Sequence, residues 1–363
     1  MRFQRLRLRG ALFGLLTAAV GLATCSCSTT ARKGKEPSLR RYEFEEPQMG
    51  VPFRIVLYAE NPAKAHAGAR AAFRRIAELN DILSDYESES ELNRLTRTAG
   101  TGVSIRLSDD LWRVLSRAQE IARLSGGAFD VTAGPYISLW RRARRQHELP
   151  DPVRLEQARK AVGYKNLVLD KRTRSAKLLV PKMRLDLGAI AKGYAAMEAL
   201  RVLENRGIKR AMVMASGDVA AGEPPPERRG WRIEIAPLDV PEAPPRRFVL
   251  LKNHGLATSG DVFQYVEING IRYSHIVDPR TGVGLTDHSL VTVIAPDPMT
   301  ADALATAVSV LGPAKGMKLV ERVQGAAAFV VRKPGDRIET HQTSRFARFV
   351  ERLSTASGAH NSP

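Results

Sequence analysis

Between Met183 and Tyr194 the chain reads Met-Arg-Leu-Asp-Leu-Gly-Ala-Ile-Ala-Lys-Gly-Tyr, and this stretch limits the fold more than any other. Asp186 breaks an apolar run where a buried strand favours another aliphatic residue. Gly188 and Gly193 strip side chains from one side of the turn, so that a backbone or a ligand can come close. Lys192 then sets a cation about one helical turn beyond the carboxylate. The pattern is a strand end, a tight glycine turn and a helix running to about Arg206. The first N–H groups of such a helix are a natural seat for phosphate. Two readings stand at this point: a packing turn, or an anion site.

The N-terminal residues do not belong to that fold. Arg2, Arg5, Arg7 and Arg9 form a basic region, and Ala11 to Thr24 is an apolar run too short for a permanent membrane span. Residues 1–24 therefore read as a signal peptide. Leu22-Ala23-Thr24-Cys25 resembles a lipobox, in which the cysteine is lipidated and becomes the new N-terminus, although that motif usually has Gly, Ala or Ser in place of Thr24. Cys27 is a second candidate, and an ordinary cleaved signal peptide is the alternative. Residues 25–41 are polar and suit a flexible tether, and residues 354–363 read as a disordered tail. Cys25 and Cys27 are the only cysteines, so the expected domain, residues 42–353, has no disulfide, thiolate metal site or cysteine nucleophile. Any metal must be held by oxygen or imidazole.

The formal charge of +18, less the four arginines of the basic leader, is +14. That favours anionic lipid or acidic partners, and export argues against nucleic acid. Arginine runs such as Arg141 to Arg145, interrupted by Ala143, read as solvated faces or loops.

Along the chain, Phe53–Tyr58 reads as a strand, 62–83 as an amphipathic helix, and Ser108–Leu124 as a helix capped by Ser108. Ser125 to Pro135 is a glycine-bounded loop placing Phe129 beside Asp130. An arginine-rich segment, a short helix at Leu155–Val162 and a hairpin of 168–170 with 176–180 lead into the central stretch. Gly207 caps its helix, and the buried strand Ala211–Ala215 ends in Ser216-Gly217-Asp218. Trp231–Ala236 is a strand and 237–246 a proline-rich surface loop. Phe248–Leu251, Ala257–Ser259, Phe263–Ile268 and Ile271–Val277 read as successive antiparallel strands, with Asn269-Gly270 as a hairpin turn. A strand at Leu290–Ala295, a helix at Thr300–Leu311 closed by Gly312-Pro313, a short helix at Lys315–Val323 and a strand at Ala326–Val331 complete the domain. Without regular βαβ alternation, the expected class is α+β, with mixed, mainly antiparallel sheets packed with helices. No later segment is long and apolar enough to cross a membrane.

Some residues carry chemistry by type. Asp302 and Thr306 lie four apart on one helix face, a hard oxygen pair suited to Mg²⁺. An aspartate in a helix's first turn, favoured by the dipole, is the plainer explanation. His275, Asp278 and Arg280 cluster at a strand end beside a Pro/Gly turn. His275 is either a general acid or base or a histidine bonded within the sheet. Thr258-Ser259-Gly260-Asp261 adds hydroxyls. Gly-x-Ser-x-Gly, Gly-x-Gly-x-x-Gly and Walker patterns are absent.

These pieces, in this order, resemble the FAD:protein FMN transferase family, known as the ApbE family. The likeness rests on Asp85-Tyr86 with the Ser-Glu-Leu that follows, Gly127 to Asp130, and Asp186 to Tyr194. It continues with Ser216 to Asp218, Thr258 to Asp261, Ser274 to Pro279, and Asp302 to Ala307, covering roughly residues 42 to 350. Ser216 stands where the family usually has Gly, and Ala189 where it often has a second Gly.

The resemblance implies an ApbE-like, T-fold-like, two-lobed single domain. It implies a lipoprotein anchored by membrane lipid through its N-terminal cysteine, on the periplasmic or outer face of a bacterial cytoplasmic membrane. The activity implied is Mg²⁺-dependent cleavage of FAD, with FMN passed through a phosphoester bond to a Thr or Ser hydroxyl of a target flavoprotein and AMP released. By position, Met49, Tyr86, Ala128, Phe129, Asp130, Asp186, Lys192 and Ile276 match FAD-contacting sites, with Tyr86 and Phe129 offering faces to the flat rings. Ala189, through its carbonyl, Asp302 and Thr306 match Mg²⁺ ligands. His275 matches a residue near the reacting phosphate, with Asp278 as its catalytic companion. Two alternatives share these features: an Mg²⁺-dependent FAD pyrophosphatase yielding FMN and AMP, and a non-catalytic periplasmic FAD-binding lipoprotein.

Overall fold

A single eight-stranded sheet runs through the molecule, in the order Arg40–Gln48, Val51–Ala59, Ala211–Ala215, Asp218–Ala221, His254–Gly260, Ser289–Ala295, Ala327–Arg332, Glu339–Gln342. Each neighbouring pair is antiparallel. The computed structural model describes residues 38–240, 246–262 and 264–351. The signal peptide, Cys25, Cys27, most of the expected tether and the C-terminal tail lie outside the described residues.

The period of two in Val51–Ala59 decides which face each residue takes. Phe53, Ile55 and Leu57 join the main core, whereas Val56 joins a second cluster across the sheet. The main core is closed by helices Pro62–Leu83, Ala191–Asn205 and Pro298–Glu321. On the other face, the hairpin of Trp231–Ile235 with Arg247–Leu251 covers Val56, Met212, Phe329 and Phe346. The strand Ser289–Ala295 is buried along its whole length, as a central strand covered on both faces should be.

Helix starts follow side-chain chemistry. Asn61 accepts from the Lys64 N–H, Ser108 from Leu111, and Asp297 from Thr300, with Pro62 and Pro298 where a missing N–H costs nothing. The helices expected at Thr300–Leu311 and Lys315–Val323 meet at Gly312, whose φ of 71° and ψ of 172° interrupt the Pro298–Glu321 helix before Pro313. Asn269 and Gly270, with φ of 52° and 76°, form the expected hairpin turn between Tyr265–Ile268 and Ile271–Ser274.

Several expectations need correction. Met183–Leu187 is extended but is not a strand of a sheet; it makes one parallel bridge, Arg184 to Ala133. The strands from 248 to 277 do not follow one another in one sheet. His254–Gly260 enters the central sheet, while Tyr265–Ile268 with Ile271–Ser274, and Val277–Asp278 with Val283–Gly284, form separate two-stranded units. Within the proline-rich loop, Leu238 is buried beside Trp231. The arginine-rich segment is a helix, Gly134–Gln146, which buries Tyr136, Trp140 and Ala143 and turns Arg142 and Arg145 outward. Those apolar side chains pack with Val266, Tyr273 and Val277, and Trp140 donates to the Gly282 carbonyl at 2.8 Å. The short helix after it, Pro152–Arg159, begins and ends three residues before the expected one. The first strand opens at Arg40, inside the segment read as tether. Among the described residues no helix is long and apolar enough to cross a membrane.

Candidate functional site

The glycine turn at 188 and the helix that follows bring three charged side chains to one place. Lys192 Nζ donates to the Gly188 carbonyl at 2.6 Å, and lies 3.5 Å from Asp218 Oδ2 and 4.0 Å from Asp302 Oδ2. Asp218 arrives from the turn after Ala211–Ala215, and Asp302 from the first turn of Pro298–Glu321. Gly193 permits the approach of the two helices: a Cβ there would sit 2.4 Å from the Pro298 carbonyl oxygen and 3.0 Å from Asp302 Cβ.

The Gly193 N–H donates to Asp302 Oδ2 at 3.3 Å instead of to the Ala189 carbonyl four residues back. That carbonyl accepts no backbone hydrogen bond among the described residues. Thr306, half-buried one turn along from Asp302, has Ser259 Oγ 3.5 Å from its hydroxyl. A buried carboxylate with a single long hydrogen bond, a free carbonyl and a weakly engaged hydroxyl are hard oxygen donors, and they fit Mg²⁺. Among the described residues no three His, Cys, Asp or Glu side chains converge as a metal site; the expected set needs only one carboxylate.

Electrostatics mark the same cluster. Burial and the Asp302 charge push Asp218 up to about 7, against the pull of Lys192. Burial raises Asp302 too, with Lys192 and the Gly193 N–H opposing it. Burial works against the Lys192 charge, but Asp302 and Asp218 more than offset it and hold the ammonium above its ordinary range. Two carboxylates and one ammonium leave the cluster with a surplus of negative charge when all are ionised, the balance a divalent cation would correct.

A second group adjoins it through Gly188, whose N–H donates to Asp186 Oδ1 at 2.8 Å. The other oxygen of Asp186 accepts from Arg141 at 2.7 Å, and Arg141 also grips Asp85. The Arg141 guanidinium lies 4.4 Å from the Tyr86 ring centroid, and that tyrosine is 74% exposed. Tyr86 thus presents a ring on a cationic support, as a platform for a flat ligand would. Burial and Asp85 raise Asp186, while Arg141 lowers it.

The remaining candidates divide. Ala128 and Ile276 are brought together in one apolar cluster with Val310. Phe129 is a correction: its ring is 2% exposed inside the main core, so it offers no face to a ligand and instead anchors its loop. Asp130 accepts from the Thr132 N–H and hydroxyl at 2.8 and 2.7 Å, turning its carboxylate toward the chain that enters Gly134–Gln146; burial raises it. Met49 sits in the turn between the first two strands with φ 50°, a left-handed conformation rare for methionine, half-buried against the main core. His275 is half-buried, and its N–H and Nδ1 both meet the Gln264 carbonyl, at 3.0 and 3.1 Å. Burial pushes its imidazole down to about 4. Asp278 also departs from expectation: Arg280 takes both its oxygens, at 2.9 and 2.7 Å, which makes it a turn-holding residue.

Residues that sequence reasoning left out now stand in the site. Arg141, expected on a solvated face or loop, neutralises Asp85 and Asp186; the spacing of Tyr136, Trp140 and Ala143 is the signal for its helix. Asp218, legible in the sequence as a turn carboxylate, is also the partner of Lys192.

Comparisons with known proteins point the same way. The family model described as the ApbE family matches residues 49–330. The FAD:protein FMN transferase of Haemophilus influenzae is 32% identical over 349 residues, 93% of this chain and 97% of that one. Its namesake from Escherichia coli K12 is 30% identical, over 92% and 95%. The flavin transferase ApbE of Vibrio cholerae superposes with a TM-score of 0.76 at 27% identity, covering 86% of this chain and all of that structure. The apo flavinyl transferase ApbE of Pseudomonas stutzeri gives 0.74 at 30% identity, over 86% and 97%.

Proposed function

The chain belongs to the ApbE family, and from that premise we propose that it is a flavin transferase that cleaves FAD with Mg²⁺ and attaches FMN to a Thr or Ser hydroxyl of an acceptor flavoprotein. The observation that carries this reading is the Gly193 N–H bond to Asp302, which gathers Ala189, Lys192 and Asp302 at the start of one helix.

Transfer of this kind has little covalent work for the protein and depends on positioning and charge. The acceptor hydroxyl oxygen attacks the FMN-side phosphorus, the bond from that phosphorus to the bridging oxygen breaks, and AMP leaves with that oxygen. Mg²⁺, held by Asp302, Thr306 and the Ala189 carbonyl, would draw off charge on the phosphate oxygens. Lys192 adds a positive charge beside the same helix start. Tyr86 supplies the platform for a flat ring of FAD, and the Arg141 bridge keeps Tyr86 and the Asp186 turn in place. His275 is neutral at neutral pH and so able to accept the hydroxyl proton. The negative charge of a bound diphosphate lifts its basicity toward that task.

For location, the basic leader and the lipobox-like Leu22 to Cys25 support a lipid anchor on the outer face of the cytoplasmic membrane.

The test is incubation of the protein with FAD, Mg²⁺ and a purified acceptor flavoprotein, followed by a denaturing gel. A fluorescent acceptor band together with AMP release supports transfer. AMP release with a dark acceptor points to a pyrophosphatase, and no AMP at all to a flavin carrier; either overturns the proposal.

A further inference from the structure

Helix Gly134–Gln146 carries two half-buried arginines three residues apart, and they differ in one respect. Arg141 is neutralised by Asp85 and Asp186. Arg144, three residues on, is half-buried and has no carboxylate partner among the described residues; its one hydrogen bond runs from Nη1 to Gln264 Oε1 at 3.4 Å. Gln264 also offers its backbone carbonyl to His275, at 3.0 Å from the N–H. One residue therefore links the Arg144 guanidinium to the backbone that carries His275.

A partly buried cation without a counter-charge is costly unless an anion visits it. We propose that Arg144 is an anion-binding residue of this site, whose guanidinium takes a phosphate oxygen of the bound dinucleotide. Its surroundings agree. Burial lowers its basicity, Tyr86 opposes that, and the neighbouring Arg141 and Arg145 lower it further, so positive charge gathers beside the exposed tyrosine. The Arg144 and Lys192 charges both add to the burial that holds the His275 imidazole down. A planar guanidinium suits the geometry of a phosphate better than a point charge does. This inference rests on the reading of the site as the place where FAD binds.

The experiment measures binding without turnover. FAD, ADP and riboflavin are titrated in EDTA against the full-length protein and its Arg144→Gln and Arg144→Lys variants, by flavin fluorescence and by calorimetry for ADP. Arg144→Gln is expected to weaken FAD and ADP on the order of tenfold or more and to leave riboflavin unchanged, with Arg144→Lys recovering part of the loss. Unchanged FAD affinity in Arg144→Gln overturns the proposal. So does an equal loss for all three ligands, which marks Arg144 as a structural residue. Failure of the unmodified protein to bind FAD in a parallel titration with Mg²⁺ sinks the functional reading itself, and is told apart because it needs no variant.

Discussion

Gly193 and Asp302, 109 residues apart in the chain, meet through a 3.3 Å bond from the Gly193 N–H to Asp302 Oδ2. The absence of a side chain at 193 makes the meeting possible, since a Cβ would lie 2.4 Å from the Pro298 carbonyl oxygen. Gly193→Ala is therefore expected to push the two helices apart, cost about 2–3 kcal/mol of stability and reduce transfer sharply. Urea unfolding with a parallel transfer assay checks both; a variant as stable and active as the parent would show that the contact has slack.

Arg141 neutralises two buried carboxylates, and breaking such a bridge leaves uncompensated charge. Arg141→Gln is expected to lose about 3 kcal/mol. The pH dependence has a definite sign. Asp186 already lies above its ordinary 3.8, through burial and the Asp85 charge, so its protonation favours the folded state and stability falls as pH rises above that value. Removing Arg141 raises it further, so the deficit of the variant should be larger at about pH 8 than at about pH 5. An equal deficit at both would mean that the bridge acts through packing alone.

Much of this site could be read from the chain because its carboxylates break apolar runs beside glycines. Asp186 before Gly188 and Asp218 after Gly217 are such breaks, and both are buried and partnered. The helix Gly134–Gln146 is hard to read because four arginines crowd its C-terminal half, although Tyr136, Trp140 and Ala143 keep helical spacing. Sheet pairing was beyond reach for a different reason: Asp218–Ala221 finds His254–Gly260 across a long intervening segment, and local patterning carries no such information. The edge strand Glu339–Gln342 is polar, alternates only between exposed and half-buried, and leaves a weak signal.

Ser216 holds a φ of 57°, in the left-handed region where glycine is at ease. Ser216→Gly is expected to stabilise the protein by about 0.5–1 kcal/mol, once the extra freedom of the unfolded chain is allowed for. Thermal melting reads this directly, and a lowered midpoint would mean that the serine hydroxyl contributes more than the strain costs.

His275 sits at about 4 in the folded protein against an ordinary 6.5, chiefly through burial, with Arg144 and Lys192 adding to the shift and Asp261 and the Gln264 carbonyl resisting it. A histidine held neutral favours folding above its unfolded value, and that contribution is lost as pH falls from about 6.5 to about 4. His275→Gln should flatten the stability profile in that window. A variant profile parallel to that of the parent would assign the acid sensitivity to other groups.

The proposed Mg²⁺ seat of Asp302, Thr306 and the Ala189 carbonyl is tested most directly by the Mg²⁺ dependence of Asp302→Ala. Transfer rate to the acceptor and the Mg²⁺-induced rise in melting temperature are followed together over a magnesium titration. Expected is a loss of transfer greater than about a hundredfold, with the thermal response to Mg²⁺ abolished. Full Mg²⁺-dependent transfer by Asp302→Ala would contradict it.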